Sequence, residues 1–187
     1  MAKAKKAAKK KASKSKAAAR PAKKAAAKKT VSFIPKGYHT ATPYMTVRDA
    51  AGAIEFYKRA FGAANPVRMD GPDGKVMHAE LIIGDSHIMM GEENPQMGMP
   101  APPTVGGSAS GIMLYVPNVD QVFARAVAAG AKVEMPVADQ FWGDRYGKLV
   151  DPYGHKWSVA THVEDMTQKE MARRGDEFMK QFAAKKA

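Results

Sequence analysis

The chain has 187 residues, 30 Lys and Arg against 18 Asp and Glu, a net charge of +12 and no cysteine. That length holds one domain with tails. The missing cysteines exclude disulfides, thiolate metal sites and a thiol nucleophile, and no apolar run approaches the roughly 18 residues of a membrane-spanning helix. No early segment has the apolar centre of a secretory signal, so a cytoplasmic location is expected.

The charge is segregated. Residues 1–29 carry twelve Lys, one Arg and no acid, which leaves seventeen basic against eighteen acidic residues, a net −1, for the remainder. Ala and Lys favour helix, but lysines this dense repel one another. Beyond Met1 there is no large apolar side chain to bury, so disorder is expected. The segment resembles the Lys/Ala-rich tails of histone-like bacterial proteins. Such an arm binds nucleic acid without sequence preference by releasing counterions, which implies nucleoid association. A solvated tail with no partner is the equal alternative.

From residue 30 the chain enters a domain expected to run to 166. Thr40 to Val47 reads as a strand, with Met45 and Val47 on one face and Thr42, Tyr44 and Thr46 on the other. Asp49 caps a helix over 50–61, striped by Ile54, Phe56, Tyr57 and Phe61 and ended by Gly62. Strands follow near 64–70, from Val76 to Ile83, and from His87 to Met90. In the second, Met77, Ala79, Leu81 and Ile83 are expected on the apolar face, with His78 and Glu80 opposite. Residues 91–109, rich in Pro, Gly and Met, read as a long loop.

The pattern then recurs. Gly111 to Val116 reads as a strand. Asn118 with Gln121 forms a capping signal for a helix that Gly130 ends, and strands follow near 132–138, 145–150 and 156–161. Asp151-Pro152-Tyr153-Gly154 is a turn between the last two. Gly143 and Gly147 predict a close approach of backbone or ligand. Residues 167–187 hold an amphipathic helix capped by Thr167, with Met171, Phe178 and Phe182 as anchors, either packed on the domain or in a dimer contact. Two βαβββ modules in an α+β class follow, forming an open, curved mixed sheet with helices outside and a cavity inside. Thr42, Tyr44, Thr46, His78, Glu80, His87, Met89, Met113, Tyr115 and Ser158 are expected to face the cavity, a mixed polar and aromatic lining suited to a small molecule.

The segments Ile54–Gly62, His78–Leu81 and Asp151–Trp157, in this order of elements, resemble the vicinal oxygen chelate superfamily of glyoxalase I, extradiol dioxygenases, fosfomycin resistance enzymes and bleomycin resistance proteins. Met135–Gly147 is similar to its PhnB-like branch. The resemblance implies a homodimer and, in the metal enzymes, four His or Glu ligands in the first and last strand of each half. Those positions fall on Thr42, Met89, Gly111 and Ser158, none of them a ligand for a divalent ion, so no metal and no cofactor are expected.

What remains is a small-molecule-binding protein that takes an aromatic or anionic compound. Tyr44, His78, Tyr115, Trp142, Arg145 and Tyr146 are its candidate ligand-binding residues. Trp142 offers a stacking face and Arg145 a carboxylate clamp, unless Arg145 pairs internally with Asp144 or Asp139. Glu80 is a candidate general base if burial raises its pKa. The alternative is a metal-dependent lyase or dioxygenase with a site relocated to His78, Glu80 and His87. His155 is expected to be exposed, and His39 and His162 lie at the ends of the domain without a role.

Overall fold

The computed structural model describes residues 31–184, and the basic segment 1–29, with its expected disorder and nucleic-acid role, lies outside them. The first module runs β1 (Tyr44–Val47), α1 (Ala50–Phe61), β2 (Ala64–Asp70), β3 (Val76–Ile83) and β4 (Ser86–Glu92). The second runs β5 (Gly111–Tyr115), α3 (Val119–Ala128), β6 (Lys132–Asp139), β7 (Asp144–Val150) and β8 (Lys156–His162). Between them lie a 3-10 turn (Pro95–Met97) and α2 (Pro102–Val105), and α4 (Gln168–Ala184) closes the series.

Each module makes its own four-stranded sheet, in the orders β1-β4-β3-β2 and β5-β8-β7-β6. The first strand of each module pairs parallel with the last, and the other pairings are antiparallel. The class is thus α+β with two βαβββ modules and mixed, unclosed sheets.

Local chemistry fixes the helix ends. Asp49 accepts from the Gly52 N–H at 3.0 Å, and the Glu92 carboxylate at the end of β4 takes the Asp49 and Ala50 N–H groups at 2.8 Å each. An acid at a helix N-terminus satisfies otherwise unpaired donors and opposes the dipole. Gly62 ends α1 at φ 70°, where its N–H returns to Lys58 O. Asn118 caps α3 through the Gln121 N–H at 3.0 Å, and Thr167 caps α4 through Glu170 N–H at 3.2 Å.

The two helices pack on each other and on the outer faces of the sheets. Phe56, Tyr57, Phe61 and Trp157 make an aromatic cluster between modules, with Phe61 and Trp157 ring centroids 4.6 Å apart. Asp151 sits at its edge, buried, accepting from Tyr57 OH at 2.6 Å and Trp157 Nε1 at 2.8 Å. Both close approaches expected at glycine are present: a Cβ at Gly147 would lie 2.6 Å from Phe123 Cε2, and one at Gly143 would lie 2.3 Å from Glu164 O.

Four expectations need correction. The first strand begins at Tyr44 and not at Thr40, although Pro43 O just before it still accepts from the Met89 N–H of β4 at 2.9 Å. Val76 is buried and Met77 exposed, the reverse of the expected facing. A bulge sets Asp70 against Val76 and Met69 against His78, leaving Met77 as an extra residue that flips the strand end. The 91–109 segment is not featureless: Glu93 accepts from Arg48, Thr104 and the Ala101 N–H and so anchors α2. His155 is half-buried, with Nε2 3.0 Å from Thr46 O, because the 151–154 turn carries it against β1.

The terminal helix α4 has no buried residue. It touches the domain through Phe178 on Phe141 (5.3 Å) and Arg174 on Glu164 (2.8 Å). Among the described residues, no helix is long and apolar enough to cross a membrane.

Candidate ligand-binding site

The inner face of the second sheet is read best as rows across its strands. Pairing aligns Met113 (β5), Ser158 (β8), Lys148 (β7) and Met135 (β6) in one row, and Tyr115, Ala160, Tyr146 and Ala138 in the next. Residues directly opposite share a face, so a hydroxyl and an ammonium lie between two thioethers, with Tyr146 beside them. Tyr146 OH and Ser158 Oγ are 2.8 Å apart. Met113, Ser158, Lys148, Met135 and Tyr146, with Ile112, line a groove of about 620 Å³. Lys156 at its rim approaches Glu134 at 3.6 Å, whereas Lys148 has no ion-pair partner among the described residues and is exposed.

A smaller pocket of about 300 Å³ adjoins this groove and shares Ser110, Gly111, Ile112 and Lys156 with it. Its far wall is Tyr44 and His155. Tyr44 and Tyr146, predicted from opposite halves of the sequence, are therefore linked by adjoining cavities that cross from the edge of one sheet to the other.

Next to Tyr146 the face ends in a buried acid. Asp144 is 3% exposed. Its Oδ2 accepts from Tyr115 OH and Trp142 Nε1, both at 3.0 Å, and its Oδ1 bonds His162 Nδ1 at 2.7 Å. Burial pushes the Asp144 carboxyl up, but hydrogen bonds from His162, Tyr115 and Trp142 outweigh it and hold the group below its ordinary range. The Asp144 carboxylate, aided by Asp165, raises the His162 imidazole, and Asp144 likewise raises the Tyr115 phenol.

This cluster reassigns several predicted residues. The Trp142 indole N–H is committed to Asp144, and its ring meets Phe141 and Tyr146 edge-on, at 5.0 and 5.6 Å. Trp142 thereby braces the wall on which Tyr146 stands. Tyr115 keeps an exposed ring but ties its hydroxyl to Asp144. Arg145 alternates to the helix-facing side. Its guanidinium grips Asp120 on α3 with two bonds (2.8 and 2.7 Å) and Asp139 with a third (3.0 Å), so it does not line the groove. Of its two anticipated partners Asp139 is present, while Asp144 faces the opposite side of β7.

His78, Glu80 and His87 lie together on the inner face of the first sheet, on β3 and β4. Glu80 Oε1 is 3.4 Å from His78 Nε2, and Glu80 Oε2 is 3.9 Å from His87 Nδ1. Tyr38, not singled out by its sequence context, donates its hydroxyl to Glu80. That hydrogen bond, opposed by burial and aided by His78, lowers the Glu80 pKa, so the raised pKa on which a general-base role depends is not present.

No three His, Asp or Glu side chains among the described residues form a group able to hold a metal ion. At the four positions that the resemblance implies for the ligands of metal enzymes, Thr42 offers only a hydroxyl, Gly111 no side chain, Met89 only a thioether, and the Ser158 hydroxyl is engaged by Tyr146. The donor set does not fit a divalent ion.

The comparisons with known proteins agree with this architecture. The profile of the Glyoxalase/Bleomycin resistance protein/Dioxygenase superfamily matches residues 38–159, more than half of the chain. The Mycobacterium bovis protein Mb0911c is 44% identical over 133 residues, covering 70% of this chain and 88% of that protein. Among solved structures, TioX from Micromonospora sp. ML1 is similar at 26% identity and a TM-score of 0.53, over 69% of this chain and 100% of TioX. The PhnB protein from Bacillus cereus shares the fold at 19% identity and a TM-score of 0.52, over 66% of this chain and 99% of that one. The chain belongs to the Glyoxalase/Bleomycin resistance protein/Dioxygenase superfamily.

Proposed function

We propose that this protein binds a small organic anion with an aromatic or apolar body in the groove of the second module, between Tyr146, Met113, Met135 and Lys148. The observation that carries the reading is the row Met113–Ser158–Lys148–Met135 at the floor of a roughly 620 Å³ groove. An ammonium without a carboxylate partner attracts an anion. The flanking thioethers and the Tyr146 ring take up a flat or greasy body. Tyr44, across the adjoining pocket, extends the aromatic wall for a longer ligand.

A thermal-shift panel tests this. Aromatic carboxylates and sulfonates raise the melting temperature, and their neutral amide or alcohol analogues do so less. Equal shifts for both series would count against the charge assignment.

The segregated charge favours a second, independent activity. Thirteen basic residues without an acid in residues 1–29, against a net −1 elsewhere, support nonspecific nucleic-acid binding confined to that segment.

A further inference from the structure

The first module holds a second constellation, and one of the chain's own side chains sits in it. The Pro35-Lys36-Gly37 turn closes with Tyr38 N–H on Pro35 O at 3.1 Å, and Gly37 adopts φ 88°, a conformation that favours glycine. The turn lays the Tyr38 ring flat on His87, with centroids 4.0 Å apart and planes 24° from parallel. Its hydroxyl donates to Glu80. On the other side Glu80 meets His78, over which the Tyr44 ring stacks at 6.1 Å.

The receiving groups stand on the central strands of a sheet and are largely buried, with side chains 12% exposed for His87, 15% for Glu80 and 25% for His78. Tyr38 is different. It precedes β1 and belongs to no helix or strand. It also leaves one group unserved: His87 Nδ1 is buried without a hydrogen-bond partner, 3.9 Å from Glu80 Oε2 and beyond bonding reach.

We propose that the inner face of the first module is a binding site for a neutral phenol, and that Tyr38 is its resident occupant, displaced when such a ligand enters. The chemistry of the occupant defines the class. The His87 ring supplies a flat stacking surface. Glu80, kept ionised, accepts a charge-assisted hydrogen bond from a phenol hydroxyl and repels a phenolate or a carboxylate. A phenol whose substituent also reaches His87 Nδ1 satisfies a donor or acceptor that Tyr38 leaves unpaired, and so outcompetes it. The groove proposed for anions lies in the other module and shares none of these residues.

The test uses p-cresol, a free copy of the tyrosine side chain, titrated calorimetrically into the full-length protein. Wild type binds it weakly, because the internal phenol competes. Tyr38→Ala binds one p-cresol per chain at least about tenfold more tightly, and toluene, lacking the hydroxyl, binds that variant at least about tenfold more weakly than p-cresol. Tyr38→Phe keeps the ring and lacks the bond to Glu80, and its affinity for p-cresol falls between the two. Tyr146→Ala leaves p-cresol binding unchanged, which separates this site from the anion groove. The proposal is overturned if neither Tyr38 variant binds p-cresol more tightly than wild type does, or if toluene matches p-cresol in Tyr38→Ala.

Discussion

Asp151 joins the two modules, and its replacement by alanine has a calculable cost. The carboxylate is 4% exposed and accepts four bonds: from Tyr57 OH at 2.6 Å, Trp157 Nε1 at 2.8 Å, and the Tyr153 and His155 N–H groups at 2.9 Å each. Tyr57 lies on α1 of the first module and Trp157 on β8 of the second, and neither is more than 1% exposed. Burial, then the Asp151 carboxylate, raises the Tyr57 pKa well above its ordinary value, so its hydroxyl stays a donor. In Asp151→Ala both buried donors lose their acceptor, at about 1–3 kcal/mol each, while the turn N–H groups regain water. The expected loss is about 4 kcal/mol, a large part of the ~5–15 kcal/mol that holds a domain folded. The melting temperature should fall by about 10 °C. Asp151→Asn keeps one carbonyl but turns an NH₂ toward existing donors, and should lose about half as much. Urea unfolding read by tryptophan fluorescence measures this directly, with an unchanged m-value expected. An Asp151→Ala protein within about 1 kcal/mol of wild type would refute the assignment of Asp151 as the joint.

Two further outcomes are expected. Because Asp144 and Asp165 raise the His162 pKa, the His162 contribution to stability is fully present below the ordinary imidazole value of 6.5 and fades as pH rises through the raised value. Melting temperatures across that window should therefore fall more steeply in wild type than in His162→Gln; parallel curves would remove the coupling. Through residues 1–29 the full chain should shift duplex DNA in gels, with an affinity that drops about as the seventh power of salt if roughly eight phosphates are neutralised. A shift that survives deletion of residues 1–29 would contradict that reading.

The parts of this fold legible in sequence are those set by local chemistry. The span of α1 follows from Asp49 and Gly62, which act within one turn of the helix. The 151–154 turn follows from Pro152 and Gly154, and the burial of Trp157 from strand alternation. What escaped depends on partners distant in the chain. The flip of Val76 and Met77 comes from a bulge set by pairing with β2, and no feature of β3 alone encodes it. Arg145 looked like a ligand clamp because Asp120, its main partner, lies 25 residues upstream on α3. Asp144 draws its donors from residues 115, 142 and 162, and only the folded sheet brings them to one carboxylate. Tyr38 was hidden for a related reason: it lies outside the regular elements, and its contact with Glu80 spans 42 residues.

The candidate groove was legible in part. Tyr44 and Ser158 were readable from alternation as inner-face residues, whereas alternation alone leaves open which of Arg145 and Tyr146 enters the groove. Lys148 shares the face of Tyr146 two residues earlier, and its place stays hidden for the same reason: alternation does not say which face of β7 turns inward. The pairing of Lys148 with Ser158 and Met135 gives it a place in the site.

The most direct test of the central claim is titration with the aromatic sulfonate 1-anilinonaphthalene-8-sulfonate, followed by fluorescence, on wild type, Lys148→Glu, Tyr146→Ala and Arg145→Ala. Loss of the ammonium or of the ring should each raise Kd about tenfold. Arg145→Ala, whose guanidinium lies off the groove, should leave Kd unchanged. Equal Kd values for Lys148→Glu, Tyr146→Ala and wild type would contradict the assignment of the groove as the binding site.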